Sequence, residues 1–334
     1  MGIFSKDVGI DLGTANTLIY VQGRGIVVRE PSVVAIDKYE GKVLAVGTEA
    51  NEMIGRTPEN IIAVKPLKDG VIADFDITQA MIRRFIKQAN IGGIFKPRVI
   101  VCIPSGVTEV ERRAVAATVM QAGAKEVVLM EEPMAAAIGA GLPVQSATGS
   151  MVVDIGGGTT EVAVISLGGI VASRSIKIAG NALNSAIVNY LKKEHSINIG
   201  DKMAEDIKTS IGSAYEDNEE EMFDVKGRDV STGLPKTIQI KESEIRAAMS
   251  ENLNEMLDAV KRTLENTPPE LAADIMERGI TLTGGGALIK GIDRFIIEAT
   301  KIPAYVAEYP IDCVAVGTGK SLENISEMIT AKKQ

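Results

Sequence analysis

"VVDIGGGTTEV", residues 152–162, is an apolar run that ends in one carboxylate, Asp154, and passes directly into three glycines and two threonines. Nearly the same grammar stands at residues 8–21, "VGIDLGTANTLIYV". Asp11 and Asp154 are 143 residues apart, and at that offset Gly13 meets Gly156, Thr17 meets Thr160, Ile19 meets Val162, Val21 meets Val164 and Gly25 meets Gly168. Each copy reads strand, Asp-x-Gly, polar turn, strand, turn, strand. A repeat of this length is no solenoid period. It predicts two homologous domains facing each other across a cleft.

The chemistry of the paired turns follows from their composition. Glycine after a carboxylate lets the backbone come close to a phosphate oxygen and present several N–H groups to it. The hydroxyls of Thr14, Thr159 and Thr160 and the amide of Asn16 are further candidate donors. Asp11 and Asp154 would then face each other across the cleft and hold Mg²⁺ through its waters, because Mg²⁺ keeps part of its hydration shell. One such turn alone would be read as a tight β-turn; a matched pair in an α/β chain points to phosphate binding. A third cluster, "GITLTGGGALIKGID" (279–293), is a strand, three glycines and a helix start, where a purine could lie against bare backbone. "VGTGKS" (316–321) imitates the end of a P-loop, but that motif needs glycine where Val314 stands. It is read as a turn into a packed C-terminal helix.

Composition narrows the function classes. Thirty-six basic against 44 acidic residues leave a net charge of −8, which argues against nucleic acid as a main partner. Cys102 and Cys313 both lie in apolar runs, so the chain is read as reduced and cytosolic, without a disulfide framework. The single histidine, His195, sits beside Glu194 in a polar stretch and is read as a solvated helix-end residue. No segment reaches the roughly 18 apolar residues of a membrane span. The start, "MGIFSKD", is short for a signal peptide, and Lys6 stands where myristoylation needs Ser or Thr.

Strand-like runs at 7–12, 17–22, 26–29, 32–36 and 98–104 alternate with helix-like runs at 77–90 and 108–123. The second helix has Thr108 and Glu111 spaced as a capping box. "EVVLMEEPMAAAIGAG" (126–141) reads as a strand running into a small-residue helix. The pattern is α/β. Inserts are placed at about 37–75 and about 182–245, the second containing the acidic run "EDNEEEMFD" (216–224), read as a solvated loop.

Together, "DLGTAN", "EEPMAAAIGAG", "DIGGGTTEVAVISLGGIV", "GLPKTI", "TPPELAADIMERGI" and "LTGGGALIKGID" resemble the MreB family, the bacterial actins of rod-shaped cells, from about residue 6 to about 325. The glycine motifs would fit the wider actin, Hsp70 and sugar-kinase superfamily. "VREPSVVAID", "GRTPENI" and "PLKDGVIADF" make the likeness specific to MreB, Mbl or MreBH types. The resemblance implies an actin-like α/β fold: two facing RNase H-like domains with a nucleotide cleft between them, each with an inserted subdomain. The first would span 1–145, completed by about 312–334, and the second 146–311. It implies a slow ATPase that binds ATP and Mg²⁺, forms paired protofilaments on the cytoplasmic face of the membrane, and directs wall elongation with partners such as RodZ, MreC and MreD.

By the same resemblance, Thr14, Ala15 and Asn16 with Gly156, Gly157, Gly158 and Thr159 match the phosphate loops, and Asp11 and Asp154 the metal side. Glu205, Lys208, Gly285, Gly286, Ala287 and Leu288 match the adenosine pocket. Glu132, assisted by Thr159, matches the residue that orients the attacking water. From the residues alone, Glu131 is as good a candidate, since either could stand at the strand end before Pro133 opens a helix. The alternatives are a sugar kinase, which needs a sugar pocket, an Hsp70-type chaperone, which needs a peptide-binding domain, and a monomeric ATPase that forms no filament.

"NIGGIFKPR" (90–98) gathers Ile91, Ile94 and Phe95 around two glycines, with Arg83, Arg84, Lys87, Lys96 and Arg98 nearby. Apolar residues ringed by basic ones suit insertion among anionic lipid headgroups. A connection whose Ile and Phe tuck into the core fits the residues equally. In the family a hydrophobic loop of the first domain enters the membrane, and Ile94 and Phe95 fall at the corresponding place. Met1, Ile3 and Phe4 form an apolar stub that would assist.

Overall fold

The computed structural model describes residues 6–91, 96–216 and 220–332. Ile94 and Phe95, and with them Met1, Ile3 and Phe4, lie outside the described residues.

The repeat becomes two five-stranded sheets of the same order. The first runs Glu126–Glu131, Arg98–Ile103, Val8–Leu12, Asn16–Val21, Gly25–Pro31. The second runs Ala304–Val306, Ile280–Thr283, Ser150–Ile155, Thr160–Ser166, Gly169–Ile176. Register repeats as well: Asp11 faces Leu18 as Asp154 faces Glu161, and Leu12 faces Thr17 as Ile155 faces Thr160. In each sheet the strand pair that carries the turn is antiparallel, and the next strand outward is parallel.

Central strands are buried on both faces, which is why they read as unbroken apolar runs rather than alternating ones. Val99, Val101 and Ile103 join the outer core of the first sheet, with Met81, Phe85 and Val119 from helices Phe75–Gln88 and Glu109–Ala122. Ile100 and Cys102 point the other way, into a core shared with Val152, Ala163 and Ile165 of the second sheet. The expected capping box at Thr108 and Glu111 is present.

Two short helices fill the space between the sheets. Glu132–Gly139 follows the last strand of the first sheet and packs on the second; Cys313–Ser321 follows the last strand of the second and packs on the first. Small residues make this possible. A methyl group at Gly139 would lie 1.8 Å from the Cys313 carbonyl oxygen, and one at Gly317 would lie 1.8 Å from that of Ala135. This corrects the reading of "VGTGKS" as a turn: residues 316–321 lie within the helix itself, and their glycines serve close helix packing.

The inserts carry their own sheets. Val34–Asp37 lies between Val43–Val46 and Ile61–Val64 over a small core of Val33, Ala35, Ala45 and Ala50. In the second insert, Ile197–Asn198, Met222–Asp229 and Pro235–Lys241 form a sheet beside helices Gly180–Glu194, Asp201–Ile211 and Glu242–Glu265. Two local expectations are refined here. Of the acidic run, residues 217–219 lie outside the described residues, Glu216, Glu220 and Glu221 are exposed and irregular as expected, and the run enters a strand only at Met222, with Glu221 ion-paired to Lys290. His195 does end helix Gly180–Glu194, but its Nε2 sits 2.7 Å from Glu244 Oε1 in a half-buried pair, so it is not simply solvated.

Candidate active site

Between the sheets lies a cleft cavity of about 360 Å³. Both Asp-x-Gly turns enter it, and they meet there. A methyl at Gly157 would lie 2.6 Å from Ala15 Cβ, and one at Gly158 would lie 2.5 Å from Thr14 Oγ1. The turns share one geometry: Gly13 is packed under the Asn16 carbonyl as Gly156 is under that of Thr159. Each is braced from behind. Ser32 donates from Oγ to the Gly13 carbonyl at 2.6 Å, and its N–H to that of Ala15 at 2.9 Å. Thr160 donates to the Ile178 carbonyl at 2.6 Å. That bond corrects the reading of Thr160 as a phosphate donor: the side chain is buried behind the turn, outside the cavity lining. Thr14, Ala15, Asn16, Gly156, Gly157, Gly158 and Thr159 all line the cavity.

Asp11 and Asp154 also line it, from the inner faces of the two sheets. Burial, and then the neighbouring Asp154 charge, pushes Asp11 up to about 8. Burial likewise raises Asp154 to about 6, against the Thr283 hydroxyl that donates to it at 2.7 Å. Two carboxylates that line one cleft and raise one another's cost of ionisation suit a cation beside them. Among the described residues no group of three or more His, Cys, Asp or Glu could hold a metal ion. The donor set fits a hydrated Mg²⁺ that takes its remaining ligands from water and phosphate, and does not fit a metal caged by protein alone.

Glu132 opens helix Glu132–Gly139 and lines the cavity with 8% of its surface exposed. Burial, then the charges of Glu161, Asp11 and Asp154, raises its carboxyl far above the ordinary range. Glu131 turns away: its carboxylate accepts from Arg112 Nη2 at 3.3 Å and lies outside the cavity lining. Geometry therefore separates two residues that the sequence left equal.

At the other end, Glu205 Oε2 accepts from Lys208 Nζ at 2.8 Å and from Asn184 Nδ2 at 2.6 Å, while Lys208 also donates to the Gly180 carbonyl. Gly285, Gly286 and Leu288 line the cavity, but Ala287 does not. Its methyl is buried in the second core, because the 3₁₀ turn Gly285–Leu288 rotates it inward. Gly284 takes its place in the lining, with φ +78 and no room for a side chain against the Ile155 carbonyl. Sequence reasoning also missed Gly70, Gly180, Asn181, Thr209, Ile311 and Val314. Gly70 arrives on the hairpin that closes the first insert, and its N–H donates to Thr14 Oγ1 at 3.0 Å. Nothing local in the sequence marks these residues; they reach the cavity only through the approach of distant elements.

Residues 5–330 match the family model MreB/Mbl protein. The chain is 52% identical over 327 residues to the cell shape-determining protein Mbl of Bacillus subtilis, covering 98% of each chain. It is 55% identical over 330 residues to the cell shape-determining protein MreB of Escherichia coli, covering 97% of this chain and 95% of that one. Among solved structures, MreB5 of Spiroplasma citri bound to AMPPNP superposes with a TM-score of 0.93 at 41% identity, covering 98% of this chain and 99% of that chain. The MamK double helical filament, at 20% identity and a TM-score of 0.81, shares the fold. The twin sheets with a cleft between them are thus an actin-like α/β fold, and the chain belongs to the MreB/Mbl family.

Proposed function

We propose that this chain is an ATP-hydrolysing bacterial actin that assembles into filaments on the inner face of the cell membrane and guides wall elongation. The observation that carries the enzymatic half is the meeting of two glycine turns over three carboxylates, Asp11, Glu132 and Asp154, that line one cleft. That the Spiroplasma relative was solved with AMPPNP supports a nucleoside triphosphate as the ligand. In this reading the turns at 13–16 and 156–159 hold the phosphates from opposite sides, and Glu205, Lys208 and the glycines at 284–286 hold the nucleoside. Bound between Asp11 and Asp154, Mg²⁺ would neutralise phosphate charge. Glu132, with Thr159, orients the attacking water in line with the terminal phosphorus; such positioning is most of what an enzyme supplies to phosphoryl transfer. Sedimentation with ATP, run beside a phosphate-release assay, tests the whole: pelleting and release together are expected. Release without pelleting would favour the monomeric ATPase.

The Asp154→Ala variant tests the metal side. It is expected to weaken binding of ATP with Mg²⁺ far more than binding of ADP without metal, read by titrating a fluorescent ATP analogue with and without Mg²⁺. Unchanged Mg²⁺-dependence would remove Asp154 from that role.

Membrane attachment rests on Ile94 and Phe95. Complete burial of an apolar side chain contributes roughly 1.5–3 kcal/mol, so two partly inserted residues would hold a monomer weakly. A filament repeats the contact, and avidity makes it strong. With Ile94→Ser and Phe95→Ser combined, filaments and hydrolysis are expected to survive, while co-flotation with anionic liposomes is lost. A misfolded double variant would mean that the loop belongs to the core. Among the described residues no helix is long and apolar enough to cross a membrane. RodZ, MreC and MreD remain the partners this reading implies.

A further inference from the structure

Of the buried carboxylates outside the mechanism above, Asp7 and Glu242 are ion-paired with Arg98 and Arg246, and Glu161 is not paired with a cation among the described residues. Glu161 is 0% exposed, on the inner face of strand Thr160–Ser166, directly across from Asp154. Its counterpart in the first copy of the repeat is Leu18. Leu18 lines the cavity and Glu161 does not, so the two copies use this place differently; a carboxylate buried there is costly unless its hydrogen bonds are met. No cation pairs with it among the described residues. Instead Oε2 accepts from the Ser105 N–H at 3.1 Å and from Ser105 Oγ at 2.5 Å, and Oε1 accepts from Ser175 Oγ at 2.5 Å.

The Ser105 bonds join the two halves of the molecule, while the Ser175 bond anchors the carboxylate within the second sheet, where Glu161 and Ser175 are paired. Ser105 follows strand Arg98–Ile103 of the first sheet, whereas Ser175 is on strand Gly169–Ile176 of the second. Beside them Gly106 packs against Ser175, where an added methyl would lie 3.3 Å from its Cβ. The junction leads straight to the site. Pro104 presses on Gly70, which also abuts Thr159 and donates to Thr14. Ile103 is paired with Glu131 across the sheet, so Pro104 and Glu132 each follow directly on a paired position. After burial, the Glu161 charge is also the largest influence on the Glu132 carboxyl.

We propose that Glu161 is a positioning residue for hydrolysis: by tying Ser105 of one half to Ser175 of the other, it sets the closure of the cleft and the place of Glu132 against the phosphate turns. Glu161 does not line the cavity, so it acts through Ser105 and Pro104 and not on the nucleotide. The proposal rests on the ATPase reading above. Its signature is a loss of rate without a loss of binding, because ground-state contacts to the nucleotide are left in place.

Phosphate release and ATP affinity would be measured for the wild type, Glu161→Ala, Glu161→Gln and the Ser105→Ala/Ser175→Ala double variant. The alanine variant is expected to release phosphate about 10-fold to 100-fold more slowly, the scale of an ångström of misplacement, with ATP affinity held. Glutamine should restore most of the rate, since its carbonyl can accept both Ser105 donors and its amide can donate to Ser175. The serine double variant should fall between them. Should Glu161→Ala fail to fold, the serine pair takes its place in the comparison. A wild-type rate in the variant so used overturns the proposal, as does a parallel loss of ATP affinity. Failure of glutamine to restore the rate overturns the tether as the cause. Absence of hydrolysis by the wild type itself would overturn the ATPase reading, and this proposal with it; hydrolysis that Glu132→Ala abolishes and Glu161→Ala leaves intact overturns this proposal alone.

Discussion

Replacing Glu132 by alanine is expected to slow phosphate release by about 100-fold or more, the scale of losing a positioned catalytic group, while ATP still binds. Glu132 lines the cavity on the first turn of a helix whose other buried residues lock it between the two sheets. A carboxylate held there has little freedom, so it contributes orientation in the transition state more than affinity in the ground state. Folding should not suffer, because burial disfavours the charged carboxylate and alanine removes that burden. Filaments of the variant should persist longer in ATP. Glu131→Ala is the matched control: its side chain faces Arg112, away from the cavity, and the rate should barely change. If instead Glu132→Ala hydrolyses normally and Glu131→Ala does not, the assignment must be exchanged.

The second large effect concerns stability. Gly139 and Gly317 stand four residues from Ala135 and Cys313 on two crossing helices, and each glycine lies under a carbonyl of the other helix. The contact is reciprocal, and backbone faces backbone, so no side chain can swing aside. Gly317→Ala must push the helices apart and open the shared core of Ala135, Ala136, Ala137 and Val314. Overpacking usually costs about 1–3 kcal/mol, and backbone on both sides places this case at or above the upper end. Equilibrium denaturation should show that loss or yield insoluble protein. Gly200→Ala serves as a comparison, because nothing lies within 4 Å of its missing methyl; a change under about 1 kcal/mol is expected there. Equal stability of Gly317→Ala and the wild type would mean that the helices do not cross as described.

Much of the architecture was legible from one offset. A 143-residue repeat of strand, Asp-x-Gly turn and strand specifies two equal sheets because strand pairing and turn chemistry are local, and local patterns survive duplication. The capping box at Thr108, the apolar runs buried on both faces and the glycine turns are of the same kind: each is decided within about ten residues of chain. The remainder depended on which elements approach one another. Glu131 and Glu132 are neighbours in sequence, and only the start of a helix in the cleft turns one into the cavity and the other to Arg112. Ala287 sits in a glycine run that otherwise lines the cavity, yet a 3₁₀ turn rotates it into the core. "VGTGKS" reads as a turn into a helix until the Ala135 backbone is seen to require Gly317. Nothing in "TTEVAV" marks Glu161 as buried; the neighbouring strand supplies Ser175, and only the meeting of the two halves supplies Ser105. Periodicity and turn residues record what a segment does alone. Contacts between segments distant in the chain leave no such mark, since any residue of fitting size and polarity can make them.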